Sequence, residues 1–457
     1  MEIPVAIEVQ PDSQIYNDQQ RPPSRNISSK LSVTYPQQSG GISSANGNRT
    51  VRFLIEANGF LDGKASYVAL NAIMTGTPNL VANNFSYFNP NTDTWIKRLT
   101  ILTSVGGIPI EDMQNYFILA AQETRNTEPA YYDSVGKESL NMFDSTDDVQ
   151  CEIASERAFV NKRYVISLRL SGFLNMQKLI CLKALAGQNS SAFTIEIEFC
   201  SASEMISAYN LNPGTPYTTP PAGGFGYQLS NIEYWTQQIF DPQRENELVE
   251  SIKNVPIVYH YRTHKNAQSQ IQNNTNQTLN ITEFQASVVS MQSVFRPNIS
   301  LNNQNYDSTL FSNPTGVLKS MQTKVGSNLY PAQKLLLSGD TGTADMGQQY
   351  YEYLKNNQKV CKYERGFFPT KLVGTISNKE NTDLILSTDF RVFPDDVNGD
   401  ARYNDFTSGI NTKSNPTAIQ LNLEFNTAPP LNGFICDTFV KFDSNLIVQF
   451  GMTLVLS

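Results

Sequence analysis

Apolar and polar residues alternate along much of this chain with a period of two. Phe193, Ile195, Ile197 and Phe199 share one side of a segment whose other side carries Thr194, Glu196 and Glu198. Ile419, Leu421, Leu423 and Phe425 repeat the arrangement against Gln420, Asn422 and Glu424. Tyr164, Ile166, Leu168 and Leu170 alternate with Ser167 and Arg169. Successive side chains of a strand point to opposite faces, so such segments predict strands with one face in a core and one in water, as in antiparallel sandwiches. Further strands are expected over 30–35, 51–57, 65–74, 95–105, 227–240, 255–261 and 446–456. Residues 30–35 and 51–57 read as a pair joined by a Gly/Ser/Asn loop, and 59–63 as a turn. Ile110, Met113, Phe117 and Ala121 stand at helical spacing and predict a short helix inserted between strands.

The middle of the chain divides it. Residues 209–224 are dense in Pro and Gly and suit neither a helix nor an inner strand. After the strand at 227–240, Asp241 and Pro242 make a helix start, with Asp as N-cap, Pro in the first turn, and Glu245 and Glu247 toward the positive helix end. Leu248, Val249 and Ile252 form its apolar stripe, and Pro256 stops it. The second half repeats the plan loosely: 419–425 matches 193–199, Leu279–Phe295 matches Ala65–Met74, and Gly342–Leu354 echoes Gly107–Phe117. Two similar sandwiches in tandem follow. The expected division is an arm over 1–28, a first sandwich over 29–208, a linker over 209–226 and a second sandwich over 227–457. The arm, rich in Pro, Gln, Asn and Ser, reads either as a segment lying on a neighbouring subunit or as a loose terminus.

Length and composition agree with an all-β protein of two or three domains: 457 residues, 40% hydrophobic and 17% charged. The net charge of -8 opposes broad binding to phosphate backbones. No apolar run is long enough to cross a bilayer as a helix, and the Met1-Glu2-Ile3-Pro4 start does not resemble a signal peptide. Cys151, Cys181, Cys200, Cys361 and Cys436 are few and widely spaced, and read as buried free thiols from a reducing compartment.

Chemistry-bearing motifs are sparse. His260 and His264 are the only histidines; four apart on a strand they could face one way, but a metal would need a third ligand. Asp396, Asn398 and Asp400 have the one-three-five spacing of a calcium loop, yet Ala401 and Thr407 stand where Gly and Glu are required. The Gly-rich run 339–343 reads as an ordinary turn. No nucleophile elbow or phosphate loop is present. The reading is therefore no enzyme, with no catalytic, cofactor-binding or metal residue assigned.

The mid-chain strand, acid-containing helix start with Arg244, and aromatic strand at Ile257–Tyr261 resemble the start of the second jelly roll in double jelly-roll major capsid proteins. That lineage includes adenovirus hexon, virophages, polinton-like viruses and large eukaryotic DNA viruses. The closing run Phe442–Met452 and the turn Phe60–Tyr67 are similar to further segments of the family. The chain lacks the family's fuller Glu-Arg motif and its His-Glu-Tyr run. The resemblance implies two tandem eight-stranded antiparallel jelly rolls with short inserted helices. It further implies a homotrimeric, pseudo-hexameric capsomer that tiles an icosahedral shell around a double-stranded DNA genome. Implied partners are its own copies, neighbouring trimers, and penton and minor capsid proteins, without sequence-specific nucleic-acid contacts; whether an internal membrane lies beneath the shell is left open. The implied location is the virion, after synthesis in host cytoplasm and assembly there or in the nucleus. Loops at 122–148 and 300–345 would form the outer tower or clasp the trimer. The alternatives are a tandem β-sandwich that attaches to a receptor or carbohydrate, and a glycan-active sandwich enzyme with two facing carboxylates.

Overall fold

The computed structural model describes residues 27–38, 40–45, 47–76, 84–104, 106–125, 135–143, 148–176, 178–210, 224–298, 301, 303–304, 311, 318–337, 385–391, 409–413, 418–449 and 452–456. Twelve strands come first: β1 (Ser28–Thr34), β2 (Ile42–Ser43), β3 (Thr50–Glu56), β4 (Phe60–Thr75), β5 (Asn84–Phe88), β6 (Ile96–Thr103), β7 (Pro109–Gln114), β8 (Lys162–Ile166), β9 (Ile180–Cys181), β10 (Ser191–Phe199), β11 (Ile206–Asn210) and β12 (Gly226–Phe240). Nine follow: β13 (Ile257–Gln270), β14 (Asn276–Ile281), β15 (Val288–Pro297), β16 (Leu318–Val325), β17 (Asn328–Leu336), β18 (Ile385–Asp389), β19 (Ile419–Phe425), β20 (Phe434–Gln449) and β21 (Met452–Leu456). Between them lie α1 (Tyr116–Arg125), α2 (Val135–Ser139), α3 (Asp148–Ala158), α4 (Leu182–Ala186), α5 (Ala202–Met205) and α6 (Pro242–Ser251).

The strands sort into two sandwiches with one plan. In the first, one sheet runs β1-β12-β4-β8 and the other β3-β10-β6-β7. In the second, the sheets run β13-β20-β15-β18 and β14-β19-β16-β17. Taking the core strands of each half in chain order, every strand occupies the same place in its sheet as its counterpart. The short strands β2, β5, β9, β11 and β21 are additions to this plan. β10 and β19, with their clean alternation, are equivalent central strands, and both bury every second residue. β15 takes the place of β4, as the composition of the two segments suggested.

Each sandwich closes over its own core. Phe53, Val68, Leu99 and Ile195 pack together in the first, and Met291, Met321, Leu421 and Val440 in the second. The first core also continues onto Ile257, Tyr259 and Tyr261 of β13, so the two sandwiches share an apolar contact.

Five expectations require correction. The strand expected to open the second sandwich is hydrogen-bonded into the first, where β12 lies between β1 and β4. The first sandwich therefore extends to Phe240, and the Pro/Gly run precedes its last strand rather than separating the halves. The junction is α6, whose cap is as expected: Asp241 accepts from the Arg244 N–H at 3.1 Å. Strands β1 and β3 lie in different sheets, since β1 pairs with β12 and β3 with β10. The helix expected over 110–121 begins only at Tyr116. Residues 109–114 extend along β6, and Asn115 breaks the direction at φ +52°. Strand β8 ends at Ile166, because Leu168 turns to φ +51°. The turn expected over 59–63 narrows to Gly59, at φ +74°, with β4 running from Phe60.

Candidate functional site

The most elaborate set of contacts joins the two sandwiches. Tyr261 reaches from β13 into the first sandwich, where its hydroxyl donates to the Ile110 carbonyl at 2.7 Å and accepts from Ser444 at 3.1 Å. Tyr259, two residues earlier and on the same face, accepts from the Cys181 N–H at 3.1 Å. The Phe173 ring stands edge-on to both Phe193 and Tyr261, with centroids 5.5 and 5.7 Å away. A phenol suits this place because its ring joins the apolar contact while its hydroxyl satisfies a buried backbone group.

The rest of the seam is polar. Asn115 donates to Asn266 at 2.8 Å. Arg296 is 3% exposed, donates to Asp437 at 2.7 Å and sits over the Phe117 ring, 5.5 Å from its centroid. Gln268 also donates to Asp437, at 3.0 Å. The buried charge thus meets an opposite charge, an amide and an aromatic face, the compensation that a dehydrated ion pair requires. Glu111, buried within β7, accepts from the Gly172 N–H at 2.8 Å and from the Ser171 hydroxyl. Gly172 itself touches β13 so closely that a Cβ there would stand 1.6 Å from the Arg262 carbonyl oxygen.

A segment of the second half also clasps the first. Gln304 accepts from the Ala208 N–H through its backbone at 2.6 Å. Its side chain exchanges two hydrogen bonds with the Phe225 backbone, at 2.8 and 2.6 Å. The 300–345 stretch is thus used within the chain at this residue, and it is not one loop, since β16 and β17 of the second sandwich lie inside it; its Gly-rich run lies outside the described residues.

The metal candidates fare differently. His260 and His264 lie inside β13, on one face, but Arg262 between them is paired with Asp443 at 2.9 Å. His260 bonds Asn445 through Nδ1. Burial pushes both rings down, His264 to about 3. Among the described residues no three His, Cys, Asp or Glu side chains are grouped to hold a metal. Asp396, Asn398 and Asp400 lie outside those residues, as do Cys361, the 342–354 segment and nearly all of the 1–28 arm. Cys151, Cys181, Cys200 and Cys436 are buried, and none of them forms a disulfide. Burial pushes the Cys181 and Cys436 thiols up to about 12, which keeps them unreactive.

The doubled strand order has counterparts among solved structures. PBCV-1 VP54, fitted into a cryo-EM reconstruction of the virophage Sputnik, matches over 96% of this chain and 98% of its own, with TM-score 0.58 and 12% identity. The Faustovirus major capsid protein matches over 95% and 92%, with TM-score 0.59 and 11% identity. The fold is a double jelly roll. A chain of the Sputnik virophage structure matches the double jelly roll over 94% of this chain and 88% of its own, with TM-score 0.53 and 11% identity. No protein-family model matches the sequence, and no curated protein does. At such identities the likeness carries the double jelly roll alone. The seam residues have no signature that a sequence would display: each is a single polar or aromatic residue, and their partners lie 78 or more residues away.

Proposed function

We propose that this protein is the major capsid protein of a double-stranded DNA virus, a structural subunit and not an enzyme. One observation carries the reading: a single eight-strand plan is built twice in one chain, and the two copies are fastened side by side. Three such chains around an axis present six similar sandwiches, so a trimer fills a nearly hexagonal tile. The names of the structural neighbours support the same role, since the Faustovirus match is a major capsid protein and another is the PBCV-1 virus capsid.

In this reading the tile needs a rigid subunit, and the hydrogen-bonded seam supplies the rigidity. Tiles associate through many weak contacts, which lets errors anneal before the shell is complete. Penton and minor capsid proteins complete the shell, which encloses the genome with or without a membrane beneath it. The protein is made in the host cytoplasm and resides in the virion. Residues 1–28 act as an arm on neighbouring subunits.

Light scattering on the purified protein tests the proposal. The expected particle has about three times the 51.0 kDa chain mass, and electron micrographs should show hexagonal outlines. Deleting residues 1–28 is expected to leave that particle intact and to impair shells. A stable monomer that binds glycans saturably would overturn the reading in favour of an attachment protein.

A further inference from the structure

The seam within the chain has two sides. On the second sandwich, β13 and the outer face of its sheet form one of them. Asn266 and Phe439 stand in one row of that face, and Asp437 and Val294 in the next. Phe439 and Val294 belong to the first core, while Cys436, Val440 and Met291 on the opposite face close the second. On the first sandwich, β7 and the start of α1 form the other side: Ile110 accepts from Tyr261, Asn115 meets Asn266, and the Phe117 ring lies against Arg296.

Because the two sandwiches share one plan, each side has a counterpart that the seam does not use. β1 takes the place of β13, and β1-β12-β4 that of β13-β20-β15. Val33, Trp235 and Tyr67 make one row of its outer face, beside Glu233, Ala69 and Val165. The opposite face, with Tyr234, Val68 and Ile166, closes the first core. The Trp235 and Tyr67 rings are stacked 9° from parallel, with centroids 6.2 Å apart. The Trp235 indole N–H donates to Glu233 at 3.0 Å, and Glu233 is paired with Arg163. Phe439 and Val294 are 2% and 0% exposed, whereas Val33, Trp235 and Tyr67 are only half-buried, and Leu31 and Tyr35 are 41% and 69% exposed. β17 takes the place of β7. Among the described strands it pairs with β16 alone, and its Leu329 and Leu336 are 42% and 62% exposed. Exposed leucines scattered singly are ordinary. These stand on the two surfaces whose counterparts already make a contact.

We propose that the open surfaces meet between copies: β17 of one chain docks along β1 and the Trp235–Tyr67 face of a second copy, as β7 docks on β13 within the chain. Stacked aromatic rings beside a paired Arg and Glu are the make-up of a protein contact, with an aromatic centre and a polar rim. The contact is heterologous. Every chain has one face and one edge, so copies join head to tail and close into a ring when the rotation permits. This docking rests on the capsid reading and joins its trimer.

Two double variants of the full chain test it. Leu31→Glu/Tyr35→Glu alters the face, and Leu329→Glu/Leu336→Glu the edge; all four side chains are exposed, so both variants should fold. By light scattering each should have the mass of one chain under conditions where wild type has the mass of three. Mixed in equal amounts they should form particles of two chains and nothing larger, since one intact face and one intact edge remain to meet. Acrylamide should quench wild-type fluorescence about half as strongly in the trimer as in the diluted single chain, because docking covers Trp235 while Trp95 is buried throughout. That readout needs no variant to fold. A variant that still forms the trimer, a mixture that stays at one chain although both variants melt cooperatively, or a wild-type trimer quenched as strongly as the single chain would overturn this docking and leave the capsid reading standing. Wild type that stays a single chain at every concentration would overturn both.

Discussion

At the scale of single residues, this protein places ionisable groups where their charge state is decided by burial. His264 is the clearest case. Its Nδ1 is buried without a hydrogen-bond partner, Lys441 stands opposite on β20, and the ring is pushed down to about 3. A ring lowered in the folded state takes up its proton more readily in the unfolded chain. The stability it carries is complete above its ordinary 6.5 and is lost as pH falls toward about 3. His260 has the same sign and Glu111 the opposite one, so on acidification below neutrality the carboxyl offsets part of what the rings lose. Urea midpoints at pH 7.5 and pH 5 should show wild type losing more stability on acidification than His264→Gln. Equal losses in both would mean that the ring is not held neutral by the fold. The Glu424 carboxylate provides a contrast, since Lys319, Ser320 and Lys334 hold it down at about 2 on the surface. Exposed pairs of this kind contribute little to stability.

At the scale of elements, what the sequence displayed depended on how one-sided each strand's burial is. β10 and β19 alternate because one face meets a core and the other meets solvent, so both were legible as strands. β12 was legible as a strand but not as to its sandwich. Its Pro/Gly approach looks like a boundary, whereas membership is decided by hydrogen bonds to β1 and β4, more than 150 residues earlier. The false helix at 110–121 arose because Ile110 and Met113 of β7, and Phe117 of α1, all face the core at spacings a helix would also give. The seam was illegible for a related reason: Asn115 and Asn266, or Tyr259 and Cys181, carry no mark of each other until the chain folds. One seam feature tests how tightly these elements must approach. The 171–173 loop lies against β13 through Gly172, where a methyl group would meet the rigid Arg262 carbonyl rather than a side chain that can swing away. Gly172→Ala should cost more than the roughly 1–3 kcal/mol of ordinary core overpacking, since neither backbone can yield without breaking strand hydrogen bonds. Gly40→Ala, with open space around it, should stay within about 0.5 kcal/mol of wild type. Comparable denaturation midpoints for the two variants would show that the seam gives way easily.

At the scale of the whole molecule, the doubled plan raises the question of where one folding unit ends, and the strand pairing answers it in a testable way. A fragment of residues 27–226 contains the segment first taken for the entire first sandwich, but lacks β12. Without that strand β1 loses its sheet partner, β4 loses one of its neighbours, and the core loses Leu229, Ile232 and Tyr234. Tyr234 alone packs its ring 5.8 Å from Phe53. Removing one buried aromatic side chain typically costs about 3–5 kcal/mol, comparable with a domain's whole stability. The shorter fragment is therefore expected to show no cooperative melt by circular dichroism. A fragment of residues 27–252 restores β12 and its capped helix α6, where Glu245 also accepts from the Gly59 N–H at 3.2 Å and so ties the helix to the head of β4. It should unfold cooperatively, at a lower temperature than the full chain, because Phe173 and its neighbours lose the cover of Tyr259 and Tyr261. If 27–252 stays unfolded, the two sandwiches are one cooperative unit whose seam is required for either core. If 27–226 folds as well as 27–252, the strand pairing is not what defines the first sandwich.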